Sequence, residues 1–115
     1  MSKRPVNDKG PNVNINIIET IGLPAFLEQM AEEASELSQA SLKFARKLRG
    51  ENPTPKEGNE LVSNLCEEVA DVAGCINELA RFDDDFARRS SVIECVKRYR
   101  WIKRLEDAKN DKDCK

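Results

Sequence analysis

Apolar residues recur every three or four positions through two long stretches of this chain, and a third stretch is apolar at looser spacing. In the first, Leu27, Met30, Ala34, Leu37, Phe44 and Leu48 keep the spacing and only Ser41 breaks it. The second is unbroken, through Val62, Leu65, Val69, Val72, Ile76 and Leu79. The third runs through Phe86, Val92, Ile93, Val96, Tyr99, Ile102 and Leu105. Such spacing puts the apolar residues on one face of a helix and predicts three long helices, each burying one stripe. No strand is expected anywhere in the chain.

Turn residues set the boundaries. NINIIETI, at 14–21, reads as a short helix with Gly22 as its stop. The first long helix begins near Leu23 and Pro24, proline being tolerated in a first turn. Gly50, Pro53 and Pro55 end it, and RGENPTPKEGN reads as a loop. The second helix runs from about Glu57 or Asn59 to Arg81. Asp83, Asp84 and Asp85 make a turn and offer an N-cap for the third, which spans about 85–109. Residues 1–13, with Pro5, Gly10 and Pro11, are expected to be a flexible segment and 110–115 a flexible tail. The expectation is one all-α domain over 14–109, a bundle of three long helices and a short N-terminal one. Three such helices expose too much seam to stand alone, so oligomerisation is expected to complete the bundle.

Composition agrees, with 35% charged residues, 5% aromatic residues and only five glycines and five prolines. The net charge of −2 gives no global attraction to nucleic acid or an anionic membrane. No apolar run approaches the length of a membrane span, and no apolar segment of a signal peptide follows MSKRPVNDKG. The chain has no histidine and its four cysteines form no CxxC pair. A zinc site would need an unusual ligand set, and histidine-assisted nucleophilic catalysis is excluded within one chain. Cys66, Cys75 and Cys95 fall inside predicted helices, which suits reduced thiols in a cytoplasm.

The charge distribution is more telling than its sum. Acid dominates from Glu28 to Asp85, and base gathers in Arg88, Arg89, Lys97, Arg98, Arg100, Lys103 and Arg104. Within the acidic part the first two long helices repeat each other: LEQMAEEASEL (27–37) lies over VSNLCEEVADV (62–72). Gln29 then falls on Asn64, Glu33 on Glu68 and Glu36 on Asp71. Residues three or four apart share a helix face, so Gln29, Glu33 and Glu36 form a polar stripe beside the seam, mirrored by Asn64, Glu68 and Asp71. Antiparallel packing would bring the four carboxylates to one level. They cannot converge without a cation, because like charges in a partly buried site repel. All-oxygen ligation selects Mg²⁺, with Mn²⁺ as a substitute. The alternative is a non-catalytic helical binding or assembly module whose acids are solvated surface charge.

At these residues the chain resembles the MazG-like all-α nucleoside triphosphate pyrophosphohydrolases, whose signature is EExxE, a spacer and ExxD. Here it reads Glu32-Glu33-Ala34-Ser35-Glu36 and Glu68-Val69-Ala70-Asp71, within a match over about 22–106. The spacer is longer than in many relatives because of the RGENPTPKEGNE loop; a loop insertion is cheap and leaves both helices intact. The resemblance implies Mg²⁺-dependent cleavage of a nucleoside or deoxynucleoside triphosphate to monophosphate and pyrophosphate. It implies Glu33, Glu36, Glu68 and Asp71 as metal ligands, with Glu33 or Glu36 orienting or deprotonating water. Lys97, Arg100 and Arg104 share a face and resemble the family's basic phosphate-binding segment, while Lys43 and Lys47 extend the Gln29–Glu33–Glu36 stripe as weaker candidates. Gln29 either reads the base or supports the carboxylates. A homodimer or homotetramer is implied, with basic residues supplied across the interface. Phe26 and Trp101 are read as core or as stacking aromatics, and Cys66 and Cys75 as packing residues.

Overall fold

The computed structural model describes residues 10–51 and 58–113. The segment expected to be flexible at 1–13, and the centre of the predicted loop, fall mostly outside these residues. Four helices follow in order: α1 (Ile17–Ile21), α2 (Leu23–Arg49), α3 (Gly58–Phe82) and α4 (Asp84–Asp113). Among the described residues there is no strand.

Local chemistry sets the ends. The Asn16 side chain accepts a hydrogen bond from the Glu19 amide at 3.0 Å and caps α1. Gly22, at φ 93°, turns the chain into α2, where Pro24 occupies the first turn. Gly50 closes α2 at φ 73°, donating its amide to the Arg46 and Lys47 carbonyls. Only glycine enters this left-handed region without steric cost. Asp83 caps α4, its Oδ1 accepting from the Asp85 and Phe86 amides at 3.0 and 3.4 Å. The expected turn is therefore made by Asp83, and α4 continues past Lys109 to Asp113.

α2 and α3 form an antiparallel hairpin, in which Glu33 faces Asp71 and Glu36 faces Glu68. At the α1 end, Ile18, Phe26, Cys75 and Leu79 make the core, with Met30 packed against them. Ile18, at 1% exposure, gains about 1.5–3 kcal/mol by burial.

The seam is not the stripe expected from periodicity. α2 buries or half-buries Phe26, Met30, Glu33, Leu37, Ala40 and Phe44, whereas Leu27, Ala34, Ser41 and Leu48 are exposed. On α3, Leu61, Leu65, Glu68, Val72, Cys75 and Leu79 are covered, whereas Val62, Val69 and Ile76 are exposed. The reason is the width of the apolar arc. Each helix carries more apolar surface than one partner covers, and the pair meets along the edge nearer the carboxylates. In an antiparallel pair, the residue after a contact position points to the same side of the hairpin on both helices. Leu27, Ala34, Val62, Val69 and Ile76 therefore share one apolar side. Glu36, Gln39, Lys43, Asn64 and Asp71 share the opposite, polar side.

α4 departs further from expectation. It meets only α3 among the described helices. From Phe86 to Lys112 every residue but Ala87 is exposed, including Val92, Ile93, Val96, Tyr99, Ile102 and Leu105, which were expected to pack. Its apolar residues are spread around the helix rather than gathered in one stripe, so a single neighbour cannot bury them. The radius of gyration, 20.7 Å, far exceeds the roughly 13 Å of a compact domain of this length. No helix among the described residues is long and apolar enough to cross a membrane.

Candidate metal centre

The antiparallel register brings the two halves of the repeat together. One carboxylate oxygen from each of Glu33, Glu36, Glu68 and Asp71 can be chosen so that all four lie within 4.8 Å of one another. Glu33 and Glu68 are half-buried in the seam, while Glu36 and Asp71 open to solvent on the polar side. The four expected metal ligands thus form one cluster.

Its electrostatics are unfavourable as it stands. Glu33 accepts a hydrogen bond from Gln29 Nε2 at 2.7 Å. That bond pulls its pKa down, but burial and the charges of Asp71 and Glu36 outweigh it and hold the carboxyl above its ordinary range. The Glu68 charge, then burial, raises Glu36 as well. Glu33 Oε2 and Glu68 Oε2 are buried and have no hydrogen-bond partner among the described residues. Two orphaned carboxylate oxygens in a mutually repelling, all-oxygen donor set fit a hard divalent cation, which would satisfy both the repulsion and the missing partners.

Gln29 therefore sits where it supports a carboxylate. Asn64, its counterpart in the repeat, instead lines a cleft of about 260 Å³ on the other side of Glu36 and Glu68, with Gln39, Ala40, Lys43 and Leu61. Sequence reasoning missed Gln39, although it falls between Glu36 and Lys43 at helical spacing and extends the same stripe.

The basic residues of α4 are placed differently. Lys97, Arg100 and Arg104 share a surface groove with Trp101, as their spacing predicts. α4 has no close approach to α2, so the single chain does not bring these three to the carboxylates. Trp101 is exposed and Phe26 is core. Cys75 packs in the core, where burial, then the Glu33 and Asp71 charges, push its thiol pKa up and keep it protonated. Cys66 is exposed rather than packed, and Cys66, Cys75 and Cys95 are free thiols. Compared with protein-family models, curated proteins and solved structures, the chain shows no match.

Proposed function

We propose that this chain is a Mg²⁺-dependent nucleoside triphosphate pyrophosphohydrolase, yielding a nucleoside monophosphate and pyrophosphate. The observation that carries the proposal is the convergence of four carboxylates with two buried, partnerless oxygens. The resemblance of EExxE and ExxD to the MazG-like enzymes supplies the reaction.

Glu33, Glu36, Glu68 and Asp71 would hold Mg²⁺, with Mn²⁺ as a substitute. Bound there, the cation supplies charge neutralisation of the phosphates and a more acidic water. Gln29 fixes the orientation of Glu33. Glu33 or Glu36 orients or deprotonates the attacking water.

The working form in this reading is a cytoplasmic homodimer or homotetramer. The exposed apolar side of the hairpin and the uncovered α4 support it, because both offer surface that another copy would bury. Lys97, Arg100 and Arg104 would then reach the phosphates from a neighbouring copy. Uncovered apolar surface equally suits the second reading, an assembly module without catalysis, and activity decides between them.

The test is pyrophosphate release from a panel of ribo- and deoxynucleoside triphosphates with Mg²⁺, beside Glu68→Gln. Loss of even an outer partner of a metal ligand costs about 10–100-fold, so removing a ligand charge should cost at least about 100-fold. A folded oligomer that turns over none of the panel, with or without the substitution, sinks the enzymatic reading.

A further inference from the structure

We propose that Lys43, with Gln39 and Asn64, is the phosphate arm of this site and holds the pyrophosphate end of the substrate. The inference rests on the metal reading of Glu33, Glu36, Glu68 and Asp71.

The hairpin differs on the two sides of the carboxylate cluster. Toward α1 the seam is filled by Phe26, Met30, Cys75 and Leu79, and the Gln29 amide on that flank is committed to Glu33. An extended anion held at the carboxylates has no room in the seam there. In the other direction Leu37, Leu61 and Leu65 fill the seam, but the polar flank beside them is hollowed into a cleft. The cleft that starts at Glu36 and Glu68 continues past Gln39 and Asn64 to Lys43. Ala40 lines the same stretch, and its small side chain leaves the space open.

The chemistry of the open end differs from that of the cluster. Glu36, Gln39 and Lys43 follow one another at helical spacing on α2, so acid, amide and ammonium lie in sequence along one face. Lys43 stands about 10 Å along the helix axis from Glu36, a distance that its long side chain and a diphosphate can bridge together. Lys43 is exposed and makes no ion pair with another described residue, in contrast to Arg81, Arg88 and Lys103. The amides of Gln39 and Asn64 each offer two donors. Such a cleft suits the outer phosphates of a polyphosphate while its inner phosphate stays at the carboxylates. Lys43 does this from within the same chain, which Lys97, Arg100 and Arg104 do not.

The test is calorimetric binding of inorganic pyrophosphate, at saturating Mg²⁺, to the full chain and to Lys43→Ala and Lys43→Arg. A charge-assisted contact predicts roughly tenfold weaker binding for Lys43→Ala, with recovery in Lys43→Arg, which keeps the charge. Mg²⁺ binding alone should be the same in all three. Unchanged pyrophosphate affinity in Lys43→Ala overturns the proposal, as does a wild-type chain that binds none. A titration with Mg²⁺ alone separates the two failures. If Mg²⁺ binds and Glu68→Gln abolishes it, only the phosphate arm is lost. If Mg²⁺ does not bind, the metal reading falls as well.

Discussion

The α2–α3 hairpin has two sides made from the same two helices, and they could hardly be less alike. One side carries Glu36, Gln39, Lys43, Asn64 and Asp71; the other carries Leu27, Ala34, Val62, Val69 and Ile76, most of them large apolar residues left exposed. The seam between them is a compromise. It takes half of the apolar arc of each helix and draws Glu33 and Glu68 in with it. Burying a carboxylate has a cost, and two of the carboxylate oxygens here remain without partners. A hairpin optimised for its own stability would turn the other way and bury Val69 in place of Glu68. The orientation it adopts makes sense if the polar side binds something and the apolar side is covered by something.

The largest test of that contrast is in the core. Leu79 is 7% exposed and Val69 is 49% exposed, though they belong to the same expected stripe. Leu79→Ala should cost about 2–5 kcal/mol in chemical denaturation, the usual range for a buried leucine. Val69→Ala should stay within about 0.5 kcal/mol for a free surface. Measuring both at several protein concentrations sharpens the comparison. A Val69→Ala penalty that grows with concentration shows that another copy covers the apolar side; equal penalties at every concentration would break the assignment of the seam.

A smaller effect probes the polar side through pH. Glu33 and Glu36 are raised above their ordinary 4.5, so the folded chain binds their protons more tightly than the unfolded chain does. Stability of the metal-free protein should then rise as pH falls from the raised values toward 4.5, the reverse of a salt-bridged carboxylate. Thermal melts in the absence of divalent ions check the sign. Glu36→Gln removes part of the repulsion and should melt higher than wild type near neutrality while flattening the slope. A wild-type chain that loses stability steadily over that acid range would mean the cluster is not repulsive.

Much of this was legible in the sequence, and the reasons are physical. Helix positions followed from a periodicity that turn residues punctuate, so Gly22, Gly50 and Asp83 sit where they were expected. The carboxylate cluster followed from the repeat, because equal spacing on antiparallel neighbours puts equivalent residues at one level. The seam was not legible. Met30, Leu37 and Phe44 belong equally to a stripe with Leu27 and Ala34 and to one with Phe26 and Ala40. Periodicity gives the arc and cannot say which edge of it a partner takes. α4 shows the same limit in stronger form: its apolar residues predict a helix, but spread around the axis they name no neighbour.

A gain of no more than about 1 kcal/mol decides whether the polar side is open. Gly74 lies in the middle of α3, one residue before buried Cys75 and therefore on the carboxylate side, opposite Ile76. A Cβ built there meets nothing within 4 Å. Glycine inside a helix is less favourable than alanine by about 0.5–1 kcal/mol, because the unfolded chain gains more freedom from it. Gly74→Ala should therefore stabilise by about that amount, read as a shift in the denaturation midpoint with an unchanged slope. The gain should survive at concentrations where Val69→Ala begins to report a partner, since that partner is expected on the opposite side. A gain that turns into a loss as copies assemble would place a second chain over the carboxylates. The side proposed to admit a nucleotide would then be closed, and the two sides would have to exchange their roles.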